Sequence, residues 1–172
     1  MIMPRGEQLL LPVNPLFMFV TLLAGLSINM LPLGRVEWMP DLLMLLIGFW
    51  SVHQPLRMGM GVAFVLGLFM DVHQSSLLGQ HALVYTLLAF AAMAGHRRLL
   101  WFSGPVQALQ VLPLFAAAHA IELVLRVLMG GVFPGLLVVL PPLLEALLWP
   151  AARWVLLAPQ RRAPDRDENR PL

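Results

Sequence analysis

The stretch PDLLMLLIGFWSVHQPLRMGMGVAFVLGLFMD, residues 40–71, holds two apolar runs on either side of a polar turn, His53-Gln54-Pro55-Leu56-Arg57. The first run opens on Pro40 and Asp41. Proline suits a first helical turn, and a carboxylate there is favoured by the positive end of the helix dipole. Each run has only about 14 to 16 residues, short of the ~20 that cross a bilayer comfortably. Two arrangements fit. Either both runs cross, tilting little or thinning the bilayer locally, or they form a re-entrant hairpin packed against protein. A hairpin leaves the parity of every later segment unchanged, so Arg57 alone separates the two.

Working outward, the arginines take sides. There are 11 basic residues, all arginine. If the apolar stretches are six spans, Arg5, Arg57, Arg97, Arg98, Arg161, Arg162, Arg166 and Arg170 fall on one side. Arg35 alone falls on the other, and Arg126 and Arg153 lie within or at the ends of spans. Short basic segments beside a span resist translocation and stay cytoplasmic. The expected protein is therefore a multi-pass protein of the bacterial inner membrane with both termini in the cytoplasm.

Composition points the same way. The chain is 59% hydrophobic and 12% charged, with a mean hydropathy of +0.80, against roughly 25% charged residues in soluble domains. Spans of ~20 residues use up most of the 172, which leaves no separate soluble catalytic domain. The formal charge of +2 sits in loops and tail and marks topology, not a nucleic-acid face. Without cysteine there is no disulfide or thiolate chemistry. The apolar run from Leu9 to Leu33 is longer than a signal-peptide core and no small-residue cleavage pattern follows it; it is expected to be a retained first helix.

The expected organisation is an all-α membrane bundle over residues 1–158, with spans at about 15–30, 40–53, 58–71, 80–95, 106–129 and 134–158. Arg35, Glu37 and Trp38 form one outside loop and His73 to Gly79 another, while His96-Arg97-Arg98 forms a cytoplasmic turn. Residues 159–172 form a charged, Pro-containing tail expected to be disordered.

Few side chains within the spans could carry chemistry. His119, Glu122 and Arg126 share one helical stripe of span five, and Glu122 precedes Arg126 by four in the favourable order. Glu145 lies near the middle of span six, after Pro141-Pro142. Ionisable groups at such depth usually face the bundle interior and are paired. A polar site or proton path is one reading. The plainer one pairs Glu122 with Arg126 and His119 with Glu145 as interhelical ties. Pro113 and Pro141-Pro142 are expected to kink spans five and six. Gly59, Gly61, Ala63 and Gly67 would permit close helix approach, internally or to a partner. Asp41 and Asp71, with Ser75, Ser76 and Gln80, are expected to make one polar feature at the outer ends of spans two to four. There Asp71 can accept hydrogen bonds from backbone donors at the start of span four. The 11 methionines suit adaptable packing, not a metal path.

Catalytic patterns are missing: no G-x-S-x-G elbow, H-E-x-x-H zinc site or phosphate loop. Asp41 and Asp71 invite comparison with an aspartyl dyad, but both sit near span ends, and Gly67-Leu68-Phe69-Met70-Asp71 lacks the Gly-x-Gly-Asp of intramembrane proteases. No enzyme activity and no cofactor are expected.

Several elements recur in a known order: Pro40-Asp41, the Pro55 turn, Gly61-x-x-Phe64-x-x-Gly67-Leu68-x-x-Asp71, Leu78-Gly79-Gln80-His81-Ala82-Leu83, and His96-Arg97. In that order and spacing, over roughly residues 10–158, the chain resembles the rod shape-determining MreD family. The resemblance implies a non-enzymatic membrane subunit of the bacterial elongation machinery that makes peptidoglycan. Its implied partner is the single-span protein MreC, within a complex that includes MreB, a RodA-type glycosyltransferase and a class B transpeptidase. It also implies a fold similar to the substrate-capturing membrane subunits of vitamin transporters, so the alternative is a small-molecule-binding transporter subunit. Fold alone does not carry function. Under either reading Asp41, Gly59, Gly61, Gly67, Asp71, Gly79, His119, Glu122, Arg126 and Glu145 are candidates for structural or partner-contact roles, with membrane lipid around them.

Overall fold

A computed structural model describes residues 13–31, 38–75, 77–133 and 135–160. Among them lie six α-helices and no strand: α1 (Pro15–Asn29), α2 (Leu42–His53), α3 (Met60–Gln74), α4 (Gln80–Leu100), α5 (Gly104–Leu128) and α6 (Leu140–Leu156). Short 3-10 turns at Leu136–Val139 and Ala158–Gln160 flank α6.

Helix starts follow local chemistry. Pro15 enters α1 behind Asn14, whose side chain accepts from the Leu16 N–H. Asp41 caps α2 by accepting from Met44 N–H at 2.9 Å. Pro141 and Pro142 lie in the first turn of α6, where helical N–H groups lack intrahelical acceptors anyway. They therefore cost α6 no intrahelical hydrogen bond, and they stand where the 3-10 turn passes into it. Pro113 lies inside a continuous α5, and Pro150 is the internal proline of α6.

Two boundaries differ from expectation. Helix α3 continues past Asp71 to Gln74. Helix α4 continues through His96, Arg97 and Arg98 to Leu100, because basic side chains in a last turn face the negative end of the dipole and extend the helix instead of ending it. Arg5, Arg35, Glu37, Ser76 and residues 161–172 lie outside the described residues, so the expected disorder of the tail falls there.

Helix α2 packs against α1, α4 and α6, while α4 also packs against α3 and α5, and α5 against α6. Nine of the 12 residues of α2 are buried, so this short helix is the axis of the molecule. Around it Phe49, Trp50, Phe115 and Trp149 form the largest part of the core, with Phe49 edge-on to Trp50 and His53 stacked on Phe49 at 4.1 Å. Helices α5 and α6, the latter with its flanking turns, are long and apolar enough to cross a membrane. The antiparallel order leaves an acidic end, with Asp41, Asp71 and Glu145, and a basic end, with Arg57, Arg97, Arg98 and Arg153.

Candidate functional site

At the acidic end, one run of polar contacts passes through all six helices. It starts at Asn29, in the last turn of α1, whose amide donates to Asp41 Oδ1. Asp41 Oδ2 accepts from the hydroxyl of Tyr85 on α4. The Asp41 backbone N–H donates to Glu145 Oε1 of α6 at 2.9 Å, and His119 of α5 reaches the same oxygen through Nε2 at 2.8 Å. The other ring nitrogen of His119 lies 3.7 Å from Glu122 Oε2. Glu122 Oε1 in turn lies 3.5 Å from His81 Nε2 on α4. His81 Nδ1 closes the run on Asp71 Oδ1 of α3 at 2.9 Å.

Asp71 is held by backbone as well. Its carboxylate accepts from the N–H groups of Gly79 at 2.8 Å, His81 at 2.7 Å and Ala82 at 3.3 Å. Those donors open α4, where the dipole favours an anion. Gly79 adopts φ +103°, a left-handed conformation that costs glycine little and side chains more. That conformation aims its N–H at the carboxylate. Four residues before Asp71, Gly67 lets α3 lie directly on α4: a Cβ there would sit 2.4 Å from Ala82 Cα.

The sequence candidates thus divide. Asp41, Asp71, His119, Glu122 and Glu145 join one network, and Gly67 and Gly79 shape it. Glu122 contacts two imidazoles, and Arg126, four residues on, is not its ion-pair partner. The i, i+4 rule lost here because Glu122 turns towards α4 while Arg126 is exposed near the helix end. A Cβ at Gly59 or Gly61 meets nothing within 4 Å, so neither glycine serves close internal packing. Ser75 is exposed and Gln80 half-buried.

His81, Tyr85 and Asn29 are members that the sequence reading did not single out. A signal existed for two of them. His81 and Tyr85 are four apart, hence on one face of α4, and Tyr85 is the only tyrosine in the chain.

Chemically the network is a set of ties. Each imidazole lies between two carboxylates, and Glu145 and Asp71 are buried. Removing one member of a buried charged pair is strongly destabilising, about 3–5 kcal/mol, because the other is left uncompensated. One oxygen stands apart: Glu145 Oε2 is buried with no hydrogen-bond partner among the described residues. No group of three or more His, Asp or Glu among the described residues is arranged to hold a metal ion.

No curated protein and no solved structure matches the chain significantly. The vitamin-transporter likeness therefore has no support from a solved structure. The family model for the rod shape-determining protein MreD matches residues 7–159, a stretch that takes in all six helices and every member of the polar network. An all-helical bundle with apolar helices of spanning length, matched over almost its whole length, belongs to the MreD family of rod shape-determining membrane proteins.

Proposed function

We propose that this chain is a non-enzymatic scaffold of the cell-elongation complex in the bacterial inner membrane, and that it holds MreC by that protein's transmembrane helix. The match to MreD over residues 7–159 carries this reading. Through MreC it would act with MreB, a RodA-type glycosyltransferase and a class B transpeptidase in peptidoglycan synthesis. The geometry supports a scaffold in two ways. A network that ties six helices at one end favours a rigid body, and a rigid body presents its lateral faces in fixed positions. Those faces are apolar, with Phe19 and Leu23 exposed on α1 and Phe64, Val65 and Phe69 on α3. Docking between helices in lipid rests on close packing and a few polar contacts, since lipid removes most of the hydrophobic drive.

The same reading takes all six helices as crossing, with both termini cytoplasmic. The 12 residues of α2 rise about 18 Å, less than the ~30 Å hydrocarbon layer. Burial by its neighbours relieves this helix of meeting lipid along its length. Arg57, just beyond it, donates to the carbonyl of Val13 at the start of α1, which favours a crossing over a re-entrant turn. A ligand-capturing role gains nothing from the space between Gly48, Leu88, Phe115 and Trp149, which has no room for a water molecule.

Deletion of the gene with imaging of cell shape tests the proposal. Rounded cells, restored to rods by the intact chain, are expected. Rods that persist without the gene would refute it.

A further inference from the structure

Apart from Arg126, one turn past Glu122, the charges of the described residues are segregated. Among the described residues the carboxylates, Asp41, Asp71, Glu122 and Glu145, all lie towards the acidic end. Two arginines of the opposite end are engaged: Arg57 donates to the Val13 carbonyl, and Arg153 lies against Gly104 at the start of α5. Arg97 and Arg98 differ. Both are exposed, and among the described residues neither has a carboxylate within ion-pairing distance.

Beside them is an open recess of about 560 Å³, lined by His96, Arg97, Arg98, Leu100 and Trp101. Trp101 is 89% exposed, and an indole of this kind settles at headgroup level in a bilayer. Below the recess, Leu83, Leu87, Phe90 and Ala94 are exposed on α4. Their spacing of four, three and four puts them on the same helical face as Arg97, Arg98 and Trp101. One face of α4 is thus an apolar lane that ends at two adjacent guanidinium groups.

We infer that this face binds an anionic phospholipid, with the headgroup phosphate on Arg97 and Arg98 and the acyl chains along Leu83, Leu87 and Phe90. Guanidinium matches phosphate bidentately, and basic sites beside transmembrane helices select anionic headgroups. A zwitterionic lipid brings its own cation beside the phosphate and gains less. The site is independent of any protein partner, so it stands or falls separately from the scaffold proposal.

The test uses the full chain in mixed micelles with equal amounts of phosphatidylglycerol and phosphatidylcholine, and counts retained lipids by native mass spectrometry. Retention of phosphatidylglycerol over phosphatidylcholine by roughly fivefold for each guanidinium engaged is expected. In the double variant Arg97→Gln/Arg98→Gln the preference should fall to near parity. Arg97→Lys/Arg98→Lys should keep an intermediate preference, and thermal unfolding in phosphatidylcholine alone checks that each variant is folded. Parity in the wild type, or an unchanged preference in the folded glutamine variant, overturns the inference. Displacement of the lipid by millimolar inorganic phosphate would assign the recess to a soluble anion and overturn it equally.

Discussion

The same chemical change, Gly→Ala, should have opposite effects at two positions of α3. At Gly67 the added methyl would lie 2.4 Å from Ala82 Cα and 2.5 Å from Ala82 N, about 1 Å inside ordinary contact, which begins at 3.4 Å. Both neighbours are backbone and cannot rotate away. Helix α3 would have to retreat from α4, yet Asp71, one turn further on, is fastened to the N–H groups of Gly79, His81 and Ala82. Overpacking of this kind costs about 1–3 kcal/mol, and the gain in helix propensity returns at most about 1 kcal/mol. At Gly61 nothing lies within 4 Å, so only the propensity gain remains. Gly67→Ala should therefore destabilise and Gly61→Ala should be neutral or mildly stabilising. The propensity gain is common to both, so the two unfolding equilibria should differ by the overpacking cost alone, about fivefold to a hundredfold at ~1.4 kcal/mol per decade. Titration of the chain in mixed micelles with a denaturing detergent, followed by the fluorescence of its five tryptophans, measures both. Equal midpoints for the two variants would refute the close α3–α4 contact.

Three further outcomes follow from the polar network and the helix order. Glu145→Leu leaves the Asp41 N–H and the His119 ring nitrogen without their shared acceptor, at about 1–3 kcal/mol per unsatisfied group. Glu145→Gln keeps that acceptor and should unfold at least about 1 kcal/mol later in the same titration; equal stability would show that the contacts are immaterial. Asp71→Ala removes the acceptor of three backbone donors and the partner of His81, and should lower both protein level and rod shape in cells; a variant normal in both would remove Asp71 from the account. The chain has no cysteine, so Leu56→Cys, at a fully exposed site, and Ser75→Cys can be compared directly. An impermeant thiol reagent applied outside the inner membrane should label position 75 and spare 56; labelling at 56 would favour the re-entrant hairpin.

Much of this was legible in the residues because local chemistry sets helix starts. Pro40-Asp41 announces α2, because proline and a carboxylate suit a first helical turn, and Asp71 reads as an acceptor for the α4 start because a helix N-terminus calls for an anion. Pro141-Pro142 reads as a kink within a span, whereas the pair falls in the first turn of α6, where the 3-10 turn passes into it. Charge misled at Arg97-Arg98, where a basic pair reads as a turn but completes α4. Glu122 shows the limit most clearly. Spacing within one helix offers Arg126, but α4 supplies His81, and no local pattern reports what a neighbouring helix brings. Gly59, Gly61 and Gly67 look alike in sequence, and only the approach of Ala82 distinguishes the third.

The central claim, a scaffold that holds MreC, is tested most directly by co-purification. The tagged full chain and MreC are expressed together, extracted from membranes in a mild detergent, and the chain is captured after its fold has been checked by tryptophan fluorescence. MreC should be retained with the chain, and loss of the MreC transmembrane helix should abolish retention. A well-folded chain that never retains MreC would contradict the account.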